Sequence, residues 1–86
     1  MSEPYRVFIG EEPLQLLISI PKSKRGTLLV FLNSLSKDPF NEGDFSETDA
    51  RGRTCFCKII DDLAISFYPD HASKEIKVFE ISFADA

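Results

Sequence analysis

Several chemistries are excluded by what this chain has too little of. Two cysteines and one histidine fall short of the ligand set of a structural zinc site. Cys55 and Cys57 stand two apart in a stretch that reads as a strand. That spacing holds their Cα atoms about 6.5–7 Å apart on one face, at or beyond disulfide reach. Free cysteines in such places act as small buried hydrophobes, with redox or metal use as the lesser alternative, and no cofactor is expected. No run of about 18 apolar residues occurs, which excludes a membrane-spanning helix. The opening MSEPYRVFIG carries Glu3 and Pro4 and has no long apolar h-region, so the expectation is a cytoplasmic chain without a signal peptide. Internal repeats and low-complexity tracts are missing as well.

A surplus of positive charge is also lacking. Ten bases face fourteen acids, for a net charge of −4. Nucleic-acid binders draw much of their affinity from neutralising phosphates and so show a net basic footprint. The imbalance is uneven. Residues 1–37 hold five bases against three acids, residues 38–86 five against eleven, and Asp38–Asp49 carries five acids and no base. The basic group Lys22-Ser23-Lys24-Arg25 reads as a solvated helix start, with a phosphate or partner contact as the alternative. On charge grounds the acidic segment is expected to lie against it.

What is present argues for a packed core. Hydrophobic residues make up 43% of the chain and eight are phenylalanine, too many for disorder. Eighty-six residues make one domain, 1–86, small enough that a partner chain or a homo-oligomer is plausible on size alone. The centre of the pattern is Gly52 to Ala84, read as three strands. Arg53–Ile60 ends at Asp61-Asp62, whose short acidic side chains favour a turn. Leu63–Tyr68 alternates Leu63, Ile65 and Phe67 with Ala64, Ser66 and Tyr68, the period of a half-buried strand. Pro69–Ser73 reads as the second turn, because proline cannot donate to a ladder. Glu75–Phe83 is rich in β-branched and aromatic residues. Connections this short force antiparallel neighbours.

Before the meander, Tyr5–Ile9 reads as a short strand. Gly10-Glu11-Glu12-Pro13 opens a helix, with acids at the positive end of its dipole, and Leu14, Leu17 and Ile18 form its apolar stripe. Pro21 ends it. A second helix from about Lys22 to Lys37 places Leu28, Phe31, Leu32 and Leu35 on one face. Asp38-Pro39 stops that helix, since the residue before proline avoids the helical region. The expected fold is α+β: β-α-α-β-β-β, four strands in an antiparallel sheet with a helix hairpin on one face.

This order, with the helix-ending DPF, then GDF, GR, the lysine of CKII and the late KEIKVFEI, resembles the RelE/ParE toxin superfamily from Tyr5 to Asp85. The resemblance implies the toxin component of a toxin–antitoxin system, wrapped by an antitoxin-like partner. Its RelE branch would be an mRNA interferase that cleaves mRNA on the ribosome without metal. Its ParE branch would act on DNA gyrase. Metal-free RNA cleavage needs a base, an acid and cations for the phosphate oxygens. Lys58 matches the family's basic position on the first meander strand. The arginine implied on the next strand falls at or beside Ala64, and the chain ends Phe83-Ala84-Asp85 with no Arg, Tyr or His. The activity implied is therefore weak or lost. The residues able to carry it are Lys58 and His71 as catalytic groups, with Arg51, Arg53 and Lys74 as nucleic-acid contacts and Tyr68 and Lys77 beside them as further candidates. The bland alternatives are a solvent-facing strand lysine, a solvated turn histidine and edge charges that discourage aggregation. The competing function is a catalytically degenerate protein-binding module on the same fold.

Overall fold

The computed structural model describes residues 4–84. Its elements run β1 (Arg6–Ile9), α1 (Glu11–Ser19), α2 (Lys22–Lys37), β2 (Phe45–Thr48), β3 (Thr54–Ile60), β4 (Leu63–Asp70) and β5 (Glu75–Phe83). The helix hairpin and the β3-β4-β5 antiparallel meander stand where the sequence pattern puts them. The sheet, however, has five strands in the order β1-β5-β4-β3-β2, and it is mixed. β1 lies parallel to β5, with Val7 opposite Ile76 and Ile9 opposite Val78. The additional strand, β2, comes from the acidic segment expected to be a loop. All four of its residues, FSET, are exposed. Its strand character comes from pairing along β3 rather than from any hydrophobic period of its own.

Two other expectations need correction. β4 continues through Pro69 and Asp70, which pair with Ile76 and Glu75. Pairing with β3 has already ended at Phe67, so Pro69 occupies an edge, where a missing donor is tolerated. The acidic segment does not lie against Lys22–Arg25. Asp44 instead clamps β3: its carboxylate accepts the Ile59 N–H at 2.7 Å and pairs with Lys58 at 3.2 Å. Lys24 grips Asp62 in the β3–β4 turn at 2.9 Å, and Arg25 donates to the Ile18 and Ile20 carbonyls at the end of α1. The basic group thus works as helix-end and turn fastening.

The core lies between the helices and one face of the sheet. Leu28, Leu32 and Leu35 of α2, with Leu17 and Ile20, pack on Leu63, Ile65 and Phe67 of β4 and Ile76, Val78 and Ile81 of β5. Phe31, half-buried, meets Phe67 edge-on at 5.9 Å. In α1 only Leu17 of the expected stripe is buried, while Leu14 and Ile18 are exposed. A register shift between Ser66 and Phe67 pairs Ser66 with Glu80 and Phe67 with Val78. Phe79 is the extra, unpaired residue of this bulge, so Val78 and Ile81 can both face the core.

Leu32→Ala removes a side chain that is only 3% exposed and is expected to cost about 2–5 kcal/mol, read from denaturant unfolding. Gly43 has φ +65°, and a Cβ there would lie 2.5 Å from the Cys57 carbonyl oxygen. Gly43→Ala is therefore expected to lose at least about 1–2 kcal/mol, with hydrogen-exchange protection falling first along β2.

Candidate functional site

The helices cover only one side of the sheet. Residues directly opposite in an antiparallel ladder share a face, so the registers sort the side chains. Cys57 pairs with Phe45 and Ser66, and Ser66 with Glu80. These project away from the helices, together with Cys55, Glu47, Ala64, Tyr68, Lys77 and, from β1, Arg6 and Phe8. Phe8, Phe45 and Phe79 remain 46–55% exposed. The open face is thus unusually aromatic for a surface without a helical cover.

Its cations are all held by carboxylates within the chain. Arg53 lies 3.8 Å over the Tyr68 ring while its guanidinium pairs with Asp49 at 2.9 Å. Asp49 also accepts the backbone N–H groups of Arg51 and Arg53, which shapes the β2–β3 turn. Lys77 sits 4.8 Å from the Phe8 ring centre and 3.1 Å from Glu75. Arg6 reaches the same Glu75 at 3.3 Å. Tyr68 and Phe79 lean together at 5.9 Å, joining the two cation–aromatic pairs into one band.

Between that band and β2 lies a hollow of about 220 Å³ lined by Phe45, Glu47, Cys55, Cys57, Ala64, Ser66, Phe79 and Glu80, with an edge of Phe56. Burial pushes the pKa of both thiols up, and the carboxylates of Glu47, Asp44 and Glu80 push Cys57 further in the same direction. Both cysteines are free, but raised pKa values keep them as thiols and poor nucleophiles. Among the described residues no three His, Cys, Asp or Glu side chains converge to hold a metal ion.

The residues singled out from the sequence are not gathered here. Of the proposed catalytic and nucleic-acid-contact residues, Arg53 alone lies on the open face, at its β3 end. Lys58 pairs with Ile65, which is fully buried in the core, so its side chain projects to the helix side, where Asp44 holds it. His71, in the β4–β5 turn, lies 2.7 Å from the Tyr5 hydroxyl through Nδ1 and stacks on Phe40 at 5.1 Å. It fastens the hairpin tip to the start of β1 and the end of α2. Arg51 is exposed in the β2–β3 turn. Lys74 takes a left-handed φ of 55°, and its carbonyl accepts the Arg6 N–H. Tyr68 and Lys77 stand out in the sequence as candidates, but Phe8 and Phe79 do not, and nothing in the sequence joins the four as one surface. The alternation in LAISFY signalled the facing of Tyr68, but the bulge and the parallel β1 had no local signal.

No protein-family model matches the chain, and no curated protein matches it. Solved structures do. A chain of the archaeal RelE–RelB complex from Pyrococcus horikoshii aligns with TM-score 0.80 at 19% identity, covering 94% of this chain and 96% of that one. A chain of a RelBE toxin–antitoxin complex from Mycobacterium tuberculosis aligns with TM-score 0.76 at 15% identity, covering 93% and 98%. The isolated RelE toxin of E. coli aligns with TM-score 0.76 at 15% identity, covering 95% and 86%. The fold is RelE-like.

The carboxyl pKa values of Asp49 and Asp44 are lowered, chiefly by the backbone N–H groups of Arg53 and Ile59 respectively. A depressed carboxylate pKa contributes stability above the unfolded-state value, about 3.9, and that stability is lost as pH falls through the folded-state value. Asp49→Asn should therefore unfold at lower denaturant than the parent at pH 7. The difference should shrink in acid, below about pH 4, and a constant gap down to pH 2 would contradict it.

Proposed function

We propose that this chain is the toxin-type component of a toxin–antitoxin pair. It works in the cytoplasm as a single domain that grips a protein partner, with ribosome-dependent mRNA cleavage weak or lost. The observation that carries this reading is the electrostatics of the open face. Arg6, Arg53 and Lys77 are each engaged by a carboxylate of the same chain, while Glu47 and Glu80 add negative charge beside them. Phosphate chemistry requires cations aimed at developing negative charge, and a carboxylate already bound to each cation competes with that role. The likeness to chains solved in RelE–RelB and RelBE complexes supports an antitoxin-like partner.

A second reading has one observation in its favour. The Arg53–Tyr68 and Lys77–Phe8 pairs resemble the cation-and-ring platforms on which single-stranded bases stack. In that reading the chain is an mRNA endonuclease in which Arg51, Arg53 and Lys74 hold the backbone, with Lys58 and His71 as the reacting groups. That reading requires Lys58 to leave Asp44 and reach around from the helix side of the sheet, and His71 to leave Tyr5.

Induced expression in bacteria separates the two. The protein should form a stable complex with the product of an adjacent antitoxin-like reading frame, measured by native mass. It should neither arrest growth nor cut translated mRNA. Strong toxicity with mRNA cleavage, abolished by Lys58→Ala, would establish the nuclease and overturn the reading that cleavage is weak or lost, and the absence of any complex would overturn the protein-binding reading.

A further inference from the structure

We propose that the hollow between Phe45 and Phe79 receives an arginine side chain from a basic segment of a protein partner. This rests on the reading that the chain works by binding a protein, and it specifies the chemistry of what is bound. The hollow exists because of residue size. Along the row from β2 to β5, Phe45 stands opposite Cys57, Cys57 opposite Ser66 and Ser66 opposite Glu80. Small side chains thus lie between large outer ones. β2 and β5 are three strand spacings apart, about 14 Å, and Ala64 and Cys55 widen the floor to either side of that row. The resulting 220 Å³ equals the liquid volume of about seven waters, room for one long side chain.

The charge of the rim selects the occupant. Glu47 and Glu80 are exposed, and among the described residues neither has an ion-pair partner. Every base on this face is already paired, so nothing within the face neutralises the two carboxylates at the rim of the hollow. A phosphate would meet two carboxylates there. A cation would meet both of them, plus two phenyl rings that are each 46% exposed. Aromatic faces attract cations, and a planar guanidinium can stack on a ring while its fork bonds carboxylates. A lysine ammonium is compact and strongly hydrated, so it gains less from rings set this far apart. Arginine fits both features.

The test is a titration of the 15N-labelled full chain with hexa-arginine amide, following the backbone amides of Cys55, Cys57, Ala64, Ser66 and Glu80. Saturable shifts at these positions are expected. Hexa-citrulline, which keeps the shape without the charge, should give none at the same concentrations, and hexa-lysine should bind at least threefold more weakly. The double variant Glu47→Gln, Glu80→Gln should weaken hexa-arginine binding tenfold or more, with the rest of the spectrum showing an intact fold. Shifts confined to other residues, or binding that the double variant leaves unchanged, would overturn the inference. So would hexa-lysine binding equal to that of hexa-arginine, or hexauridylate binding to these amides more tightly than hexa-arginine. A partner complex that forms equally well with the double variant removes the hollow from the interface and leaves the protein-binding reading standing. Hexa-arginine binding that depends on Glu47 and Glu80, in a protein that forms no complex with the product of the adjacent reading frame, retains the hollow and removes that reading.

Discussion

The β4–β5 ladder is the interaction on which the rest of this molecule depends. It supplies six of the buried core side chains, Leu63, Ile65, Phe67, Ile76, Val78 and Ile81, and it gives β1 and β3 their pairing edges. The half-buried Val7 and Ile9 of β1 and Phe56 and Ile60 of β3 extend this floor at its two sides. The bulge within this ladder decides how side chains divide between the two faces. Without the extra residue, strict alternation beyond Glu80 would turn either Val78 or Ile81 out of the core. By absorbing it, β5 keeps both inside and presents Phe79 and Glu80 together on the open side. One irregularity in the backbone therefore serves the core and furnishes the candidate site.

The electrostatic character of the open face follows from local fastening. Asp49 is held by two backbone N–H groups and so stands ready beside Arg53. Glu75 sits between Arg6 and Lys77 and engages both. These ion pairs are exposed, and each contributes little to stability by itself. Their effect is on availability: a base already facing a carboxylate is a poor anchor for an anion from outside. The RelE-like fold is thus combined with a surface whose unsatisfied charge is negative. Fold and chemistry have to be argued separately.

Much of the fold was legible because it rests on periodicity. Leu28, Leu32 and Leu35 repeat at helical spacing and are buried, and Leu63, Ile65 and Phe67 alternate and are buried. What escaped was decided by tertiary pairing. The four residues of β2 have no hydrophobic period, and the parallel direction of β1 depends on where β5 lies. Pro69 read as a turn because its tolerance depends on where β3 stops. For the site, residue type alone was a poor guide. Lys58 was conspicuous as a basic residue on a strand, but facing is set by register, and its register with Ile65 turns it to the helix side. Tyr68 and Phe8 were visible as aromatics, yet only the β1-β5-β4 order makes them neighbours on one surface.

The parallel pairing of β1 has a consequence for the order in which the structure can form. Arg6 meets Glu75 across 69 residues of chain, and contacts so distant in sequence are the slow ones to close. The helix hairpin and the β3–β4 turn can organise from near neighbours, while β1 has nothing to align with until β5 exists. During synthesis the first strand must therefore wait for the last, with Val7 and Ile9 unsheltered in the meantime. The aromatic band is completed at the same moment, since Phe8 and Lys77 come from those two strands. A nascent chain still short of Glu75 carries helices and a hairpin but no finished aromatic band, so the open face takes its form only with completion of the sheet.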